Sequence, residues 1–253
     1  RSSDLFAPPL ERPPTLDAAA AKAQLGPIKR ERAMFIVHHL EDSRSQRVLW
    51  LLEEMGLEYE VVRYARDPAT KLAPPELRAI HPLGKSPVLQ DGDAVIAETG
   101  AIVEHLLDLR PQAGLRPPPG TDERRRFTYW MHYAEGSAMT PLLLKLIFGE
   151  IPKRTPALVR PVAKAISAKV GATLIEPQIK AHLDFWEAEL GRSDWFAGDH
   201  FTGADVMMSF PLEAAATRAD LSRRPNVRDF LERIHARPAY QAALERGGPY
   251  AYA

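Results

Sequence analysis

The chain has 253 residues, 45% of them apolar, and Lys+Arg and Asp+Glu both number 33. That size accommodates one large or two modest domains, the composition is that of a soluble globular protein, and the level charge gives no basis for nucleic acid or an anionic membrane as partner. Cysteine is absent and no apolar run approaches the roughly 20 residues of a spanning helix, which excludes disulfides, thiolate metal sites, a protein thiol nucleophile and a transmembrane helix.

Residues 1–33 carry Pro8, Pro9, Pro13, Pro14 and Pro27 and read as an N-terminal extension with room for one short helix. That helix is Leu16 to Leu25, started by Thr15 and stopped at Gly26-Pro27, with no apolar core of signal-peptide length. Met34 to His39 is a short apolar run rich in strand formers. The turn Leu40 to Ser45 then opens a helix whose apolar face is Val48, Leu51, Leu52 and Met55, at i, i+3, i+4 and i+7, and which Gly56 stops. Leu57 to Tyr64 reads as a second strand, so strand, helix and strand predict a right-handed parallel βαβ unit.

Pro87 to Gln90 and Ala94 to Ala97 are predicted as two short strands around an Asp91-Gly92-Asp93 turn. Pro87 supplies no backbone donor, so its place at a strand head is explained by a turn or a ligand, and Ser86-Pro87 is a candidate cis bond. A helix from Glu98 to Leu109 follows, with Thr99 as its cap and Ile102, Leu106 and Leu109 toward the sheet. Its free N-terminal amides suit an anion, and Glu98 just ahead of it suits an ammonium. Residues 111–120, with Pro111, Pro117, Pro118, Pro119, Gly114 and Gly120, read as a linker.

Beyond the linker nothing reads as a strand. Thr121 caps a long helix running to about Phe148, at least one further helix lies within 150–176, and another passes through Leu183, Trp186 and Leu190 to Gly191. In Phe201-Thr202-Gly203-Ala204-Asp205-Val206, Thr202 caps, Asp205 reaches back and Phe201 staples onto Val206, a folding signal. His38, His39, His81, His105 and His132 show no metal-ligand spacing and are read as structural, so no metal is expected.

A turn opened by proline, followed by an acid and a capping hydroxyl, suits a peptide with amine and carboxylate groups, the form of glutathione. Gly84-Lys85-Ser86-Pro87-Val88-Leu89 and Glu98-Thr99-Gly100-Ala101-Ile102 resemble the glutathione site of the glutathione transferase family. The capping segment around Thr202 and the close Ile234 to Tyr240 also resemble that family, and the likeness runs from about Met34 to the C-terminus. The resemblance implies a thioredoxin-like α/β domain, 34–110, binding glutathione, and an all-α domain, 121–253, completing the acceptor pocket.

It further implies a backbone pairing of Val88 with the cysteinyl part of glutathione, and contacts of Glu98 and Thr99 with its γ-glutamyl group. Lys85, beside Ser86, is the candidate for the glycyl carboxylate. Ser43, at the opening of the first helix, is the candidate catalytic residue, donating to the glutathione thiolate, with Ser45 as the alternative. No tyrosine lies between Met34 and Tyr59 to take that role, and Arg44 and Arg47 are read as solvated. Tyr129, His132, Tyr133 and Met139 mark the helix against which a small hydrophobic electrophile is expected to bind. The expected protein is a cytoplasmic, homodimeric glutathione transferase; a glutathione-dependent peroxidase or disulfide reductase, or a non-catalytic glutathione binder, are alternatives on the same fold.

Overall fold

The computed structural model describes residues 34–252; the N-terminal extension, with the short helix expected within it, lies outside them. Strand β1 (Phe35–Leu40) is followed by helix α1 (Gln46–Glu54) and strand β2 (Tyr59–Tyr64). A one-turn helix α2 (Leu77–Ile80), strands β3 (Val88–Asp91) and β4 (Ala94–Ala97) and helix α3 (Thr99–Leu109) complete the first half. The sheet order is β2-β1-β3-β4, with β1 parallel to β2 and the other pairs antiparallel. This is the predicted βαβ-ββα arrangement of thioredoxin type. It is followed among the described residues by helices alone: α4 (Asp122–Tyr133), α5 (Met139–Arg154), α6 (Arg160–Val170), α7 (Glu176–Leu190), α8 (Gly203–Ala216), α9 (Pro225–His235) and α10 (Pro238–Gly247).

Helix α1 follows its sequence closely. Val48, Leu51 and Leu52 are fully buried, and Gly56, with φ of 58°, takes the left-handed conformation that ends the helix. Trp50 fills the joint between the halves, its ring 5.3 Å from Tyr240 and 5.4 Å from Phe201. Burying an indole removes roughly 200 Å² from water, an upper figure of about 5 kcal/mol. Helix α10 can lie against α1 because Gly247 has no side chain: a Cβ there would sit 2.6 Å from Gln46 Oε1 and 3.0 Å from Leu49 Cδ1. Residues Met34–Ala253 thus form one compact unit.

Three expectations are corrected. Glu98, not Thr99, holds the cap position of α3; Thr99 is the first helical residue and is buried, and no side chain caps the helix, because a φ of 72° at Glu98 turns the chain from β4 directly into it. Leu109 is exposed, whereas Ile102, Val103, Leu106 and Leu107 are buried. The helix expected to run to Phe148 extends to Arg154 and is interrupted at Ala134–Ala138 by a π-helical turn, a feature frequent at functional sites. Thr121 caps α4, accepting from the Arg124 amide at 3.1 Å, as its sequence predicts.

Candidate functional site

A cleft of about 680 Å³ opens where the start of α1 and the loop before β3 face α5 and α8. Ser43, Lys85 and Ser86 line it, so the structure brings three of the predicted residues together. On the side of the loops its walls carry Arg66, Lys71, Arg78 and Lys85, with Asp42 as the acid among its lining residues. On the helical side they carry Met139, Leu143 and Leu146, spaced i, i+4 and i+7 along one face of α5, together with Phe210, Arg218 and Tyr252.

Ser43 sits in the tight turn that leads into α1 and is 6% exposed. Its Oγ accepts the Ser45 N–H at 3.2 Å and lies 2.7 Å from Ser45 Oγ. Ser45 is fully buried, with its hydroxyl 2.8 Å from His39 Nδ1 and 3.3 Å from the Leu40 carbonyl oxygen. Of the two hydroxyls, Ser43 is the one that lines the cleft. Burial, with help from Arg63 and against Asp42, pushes the His39 pKa down to about 4, so its ring is neutral at pH 7.

Ser86 is fixed to the same strand: its Oγ donates to the His38 carbonyl at 2.8 Å and accepts the Leu40 N–H at 3.1 Å. The Ser86-Pro87 bond is cis. Val88 is fully buried within the sheet, in register with His38 on one side and Ala97 on the other, so it is not brought to the cleft. The β3–β4 pairing ends at Val88 and Ala97, and Pro87 and Glu98 are the next residues of the two chains at that end. Glu98 is exposed, Thr99 is buried behind it, and neither lines the cleft.

Arg44 and Arg47, read as solvated, are instead both committed to Glu135 in the π-helical turn. Arg44 Nε reaches Glu135 Oε2 at 2.9 Å, and Arg47, 1% exposed, pairs with the other oxygen and donates to the Met207 carbonyl at 2.7 Å. Burial alone would raise the Glu135 carboxyl, but Arg47 and Arg44 together hold it below its ordinary value. Both guanidinium groups also stand over Phe210, at 5.2 and 5.4 Å from the ring centroid. Of the four residues expected on the acceptor helix only Met139 lines the cleft; Tyr129 and Tyr133 stack with each other and join an aromatic cluster with Trp130 and Phe185. Leu143, Phe210, Arg218 and Tyr252 take the place expected of them, and no local pattern marks the last three as neighbours.

Two family models match the chain: the glutathione S-transferase N-terminal domain over residues 33–108 and the C-terminal domain over 163–233. Glutathione S-transferase 1 of Saccharomyces cerevisiae is 33% identical over 220 residues, 83% of this chain and 94% of the yeast protein. Glutathione S-transferase 3 of Schizosaccharomyces pombe is 31% identical over 215 residues, 84% and 88% of the two chains. Among solved structures, a glutathione S-transferase from Actinobacillus pleuropneumoniae superposes with a TM-score of 0.70 at 34% identity, covering 87% of this chain and 95% of that one. A sphingomonad glutathione S-transferase complexed with glutathione gives 0.63 at 25% identity, with 84% and 98% covered. A likeness carried this evenly through both halves leaves one assignment: the chain belongs to the glutathione S-transferase family.

Proposed function

We propose that this glutathione transferase holds glutathione along the β3 edge of the cleft and ionises its thiol at Ser43. The carrying observation is that Ser43, at the start of α1, lines the same cleft as Ser86, whose hydroxyl is pinned to β1. A free glutathione thiol has a pKa of about 8.5, so only about 3% is thiolate at pH 7. A hydroxyl donor to the anion is worth roughly 1.5–3 kcal/mol, and the adjoining helix N-terminus adds to it, which brings the pKa down by about one to two units. The thiol proton leaves to solvent, the thiolate forms a C–S bond with the electrophilic carbon, and the leaving group departs with the bonding pair.

Glu98 and the uncapped amides that begin α3 receive the γ-glutamyl ammonium and carboxylate. A left-handed φ at a glutamate is a costly conformation that proteins retain mainly where a ligand is positioned. Lys85 receives the glycyl carboxylate. The cysteinyl backbone meets Ser86, the other neighbour of Pro87, because Val88 is enclosed by two strands. An apolar electrophile rests on Met139, Leu143, Leu146 and Phe210. The division into a glutathione-binding half, 34–110, and a helical half, 121–253, the homodimer and the cytoplasmic location belong to the same reading. Calorimetry with glutathione, and turnover with an aromatic halide, test it. Binding weakened about tenfold in Glu98→Ala, ~1.4 kcal/mol, supports the placement, and unchanged affinity removes Glu98 from the site.

A further inference from the structure

Behind Ser43 lies a hydrogen-bond chain that ends on a buried imidazole: Ser43 Oγ to Ser45 Oγ at 2.7 Å, and Ser45 Oγ to His39 Nδ1 at 2.8 Å. A serine hydroxyl has one proton and two acceptor positions. One acceptor position of Ser43 is taken by the Ser45 N–H. If Ser45 donates its hydroxyl proton to Ser43, both acceptor positions of Ser43 are filled and its own proton is left for the cleft. If Ser43 donates to Ser45, it turns a lone pair to the cleft, where a thiolate is repelled. The direction of that one bond decides whether Ser43 activates glutathione or opposes it.

Ser45 sends its proton toward Ser43 when a donor fills its oxygen from behind, and His39 Nδ1 is placed to be that donor. The remaining contact of the Ser45 hydroxyl, the Leu40 carbonyl, is an acceptor and at 3.3 Å a longer one. The ring is neutral, so it carries one N–H. His39 is 2% exposed and its Nε2 makes no hydrogen bond to a described residue. With the proton on Nε2 that N–H has no acceptor among the described residues, whereas with the proton on Nδ1 it donates to Ser45 Oγ and only an acceptor position is left over, which favours Nδ1. Of the charged groups acting on the ring, Arg63 on the neighbouring strand β2, in register with His39, disfavours a second proton, and Asp42 before α1 opposes it. Gln46 approaches the same Gly247 as the ring, but its carboxamide has no hydrogen-bond partner and so does not accept from Nε2.

We propose that His39, with its proton on Nδ1, is a positioning residue that orders the Ser45 and Ser43 hydroxyls so that Ser43 donates into the glutathione site. The inference rests on Ser43 as the thiolate's donor. No proton moves along the chain; the thiol's proton goes to solvent, and the chain supplies a direction.

Nitrogen NMR of ¹⁵N-histidine-labelled full-length protein reads the tautomer without glutathione, with the His39 signals identified by their loss in His39→Leu. The Nδ1–H form is expected, and the Nε2–H form overturns the proposal. Ultraviolet absorbance of bound glutathione thiolate against pH gives the consequence. His39→Leu and Ser45→Ala are each expected to raise the thiol pKa so that thiolate at a fixed pH falls threefold to tenfold, with glutathione affinity moved less than twofold. His39→Asn, whose amide can donate from the Nδ1 position, is expected to keep the wild-type titration. An unmoved titration in Ser45→Ala, or in a folded His39→Leu, overturns the proposal. If the wild-type protein shows the Nδ1–H form but bound glutathione titrates as in free solution, the ordering stands and it is Ser43 as donor that fails.

Discussion

Asp205 joins the helical domain through three hydrogen bonds, and their removal has a computable cost. Its Oδ1 accepts the Phe196 N–H at 2.8 Å; its Oδ2 accepts the Thr202 N–H at 2.8 Å and the Thr202 hydroxyl at 3.0 Å. The side chain is fully buried, so Asp205→Ala leaves two interior amides without an acceptor, at about 1–3 kcal/mol each, and the hydroxyl besides. The sum is roughly 3–6 kcal/mol, a large part of the 5–15 kcal/mol typical of a whole domain. Burial raises the Asp205 carboxyl to about 6, against the pull of its three donors. The folded pKa therefore lies above the unfolded value of 3.8, and the native state holds a proton that the unfolded chain has released between about pH 4 and pH 6. This group's contribution is present below pH 4 and is lost as pH rises through 6, by about 3 kcal/mol in order of magnitude. Asp205→Asn cannot titrate. Urea unfolding of both proteins across that window is expected to show stability falling with pH in the wild type relative to the variant. Equal slopes refute the burial argument, and an Asp205→Ala variant within 1 kcal/mol of wild type refutes the hydrogen-bond sum.

Ser43→Ala is expected to raise the thiol pKa of bound glutathione by about one to two units and to lower turnover with little loss of binding. Ser45→Ala moves it less, and a larger shift in Ser45→Ala passes the donor role to Ser45. Glu135→Gln strands the enclosed Arg47 charge and is expected to cost ~2–3 kcal/mol by denaturant unfolding, less than for a fully buried pair because Glu135 is a third exposed. A loss below 0.5 kcal/mol sinks that reading. Because Arg44 and Arg47 hold the Glu135 carboxyl below its ordinary value, its contribution is complete above pH 4.5 and fades as pH falls below it. Arg218 faces the apolar wall with its guanidinium on the Tyr252 hydroxyl at 3.1 Å and the Leu142 carbonyl at 3.4 Å, and no carboxylate among the described residues is in ion-pair reach. Its charge is open to an acidic electrophile, so Arg218→Met is expected to lower kcat/KM for 4-chloro-3,5-dinitrobenzoate about tenfold relative to its methyl ester. An unchanged ratio removes Arg218 from acceptor choice.

Local signals were legible where one short segment contains its own reason. Val48, Leu51, Leu52 and Met55 share a face whatever lies opposite, Gly56 ends the helix by its left-handed φ, and Thr202 and Asp205 satisfy each other across three residues. Leu109 departs from its expected inward face because the buried stripe of α3 is centred between Ile102–Leu106 and Val103–Leu107, which leaves Leu109 roughly 90° away at 100° per residue. Pro152 lies inside the last turn of α5 instead of ending the helix before it. The site's long-range partners carried no signal at all. Arg47 and Glu135 are 88 residues apart, and only the packing of α1 on the helical domain explains why a charge at the second position of an apolar helix is tolerated.

The absence of cysteine and the hydroxyl chain behind Ser43 bear on one another. A cysteine at the start of α1 would attack a glutathione-containing disulfide, forming an S–S bond to glutathione and releasing the other half as thiolate, a covalent bond whose direction needs no arranging. A serine there can only donate a hydrogen bond to the ligand's sulfur, and a hydroxyl that is free to turn offers a lone pair as readily as a proton. Catalysis by serine therefore depends on what orients it. In this chain the Ser45 amide takes one of its acceptor positions and the Ser45 hydroxyl is in reach of the other, at 3.2 and 2.7 Å. With Ser45 as the donor of that second bond, as proposed, Ser43 has one group left unsatisfied, its proton, and the cleft it lines is where that proton can go.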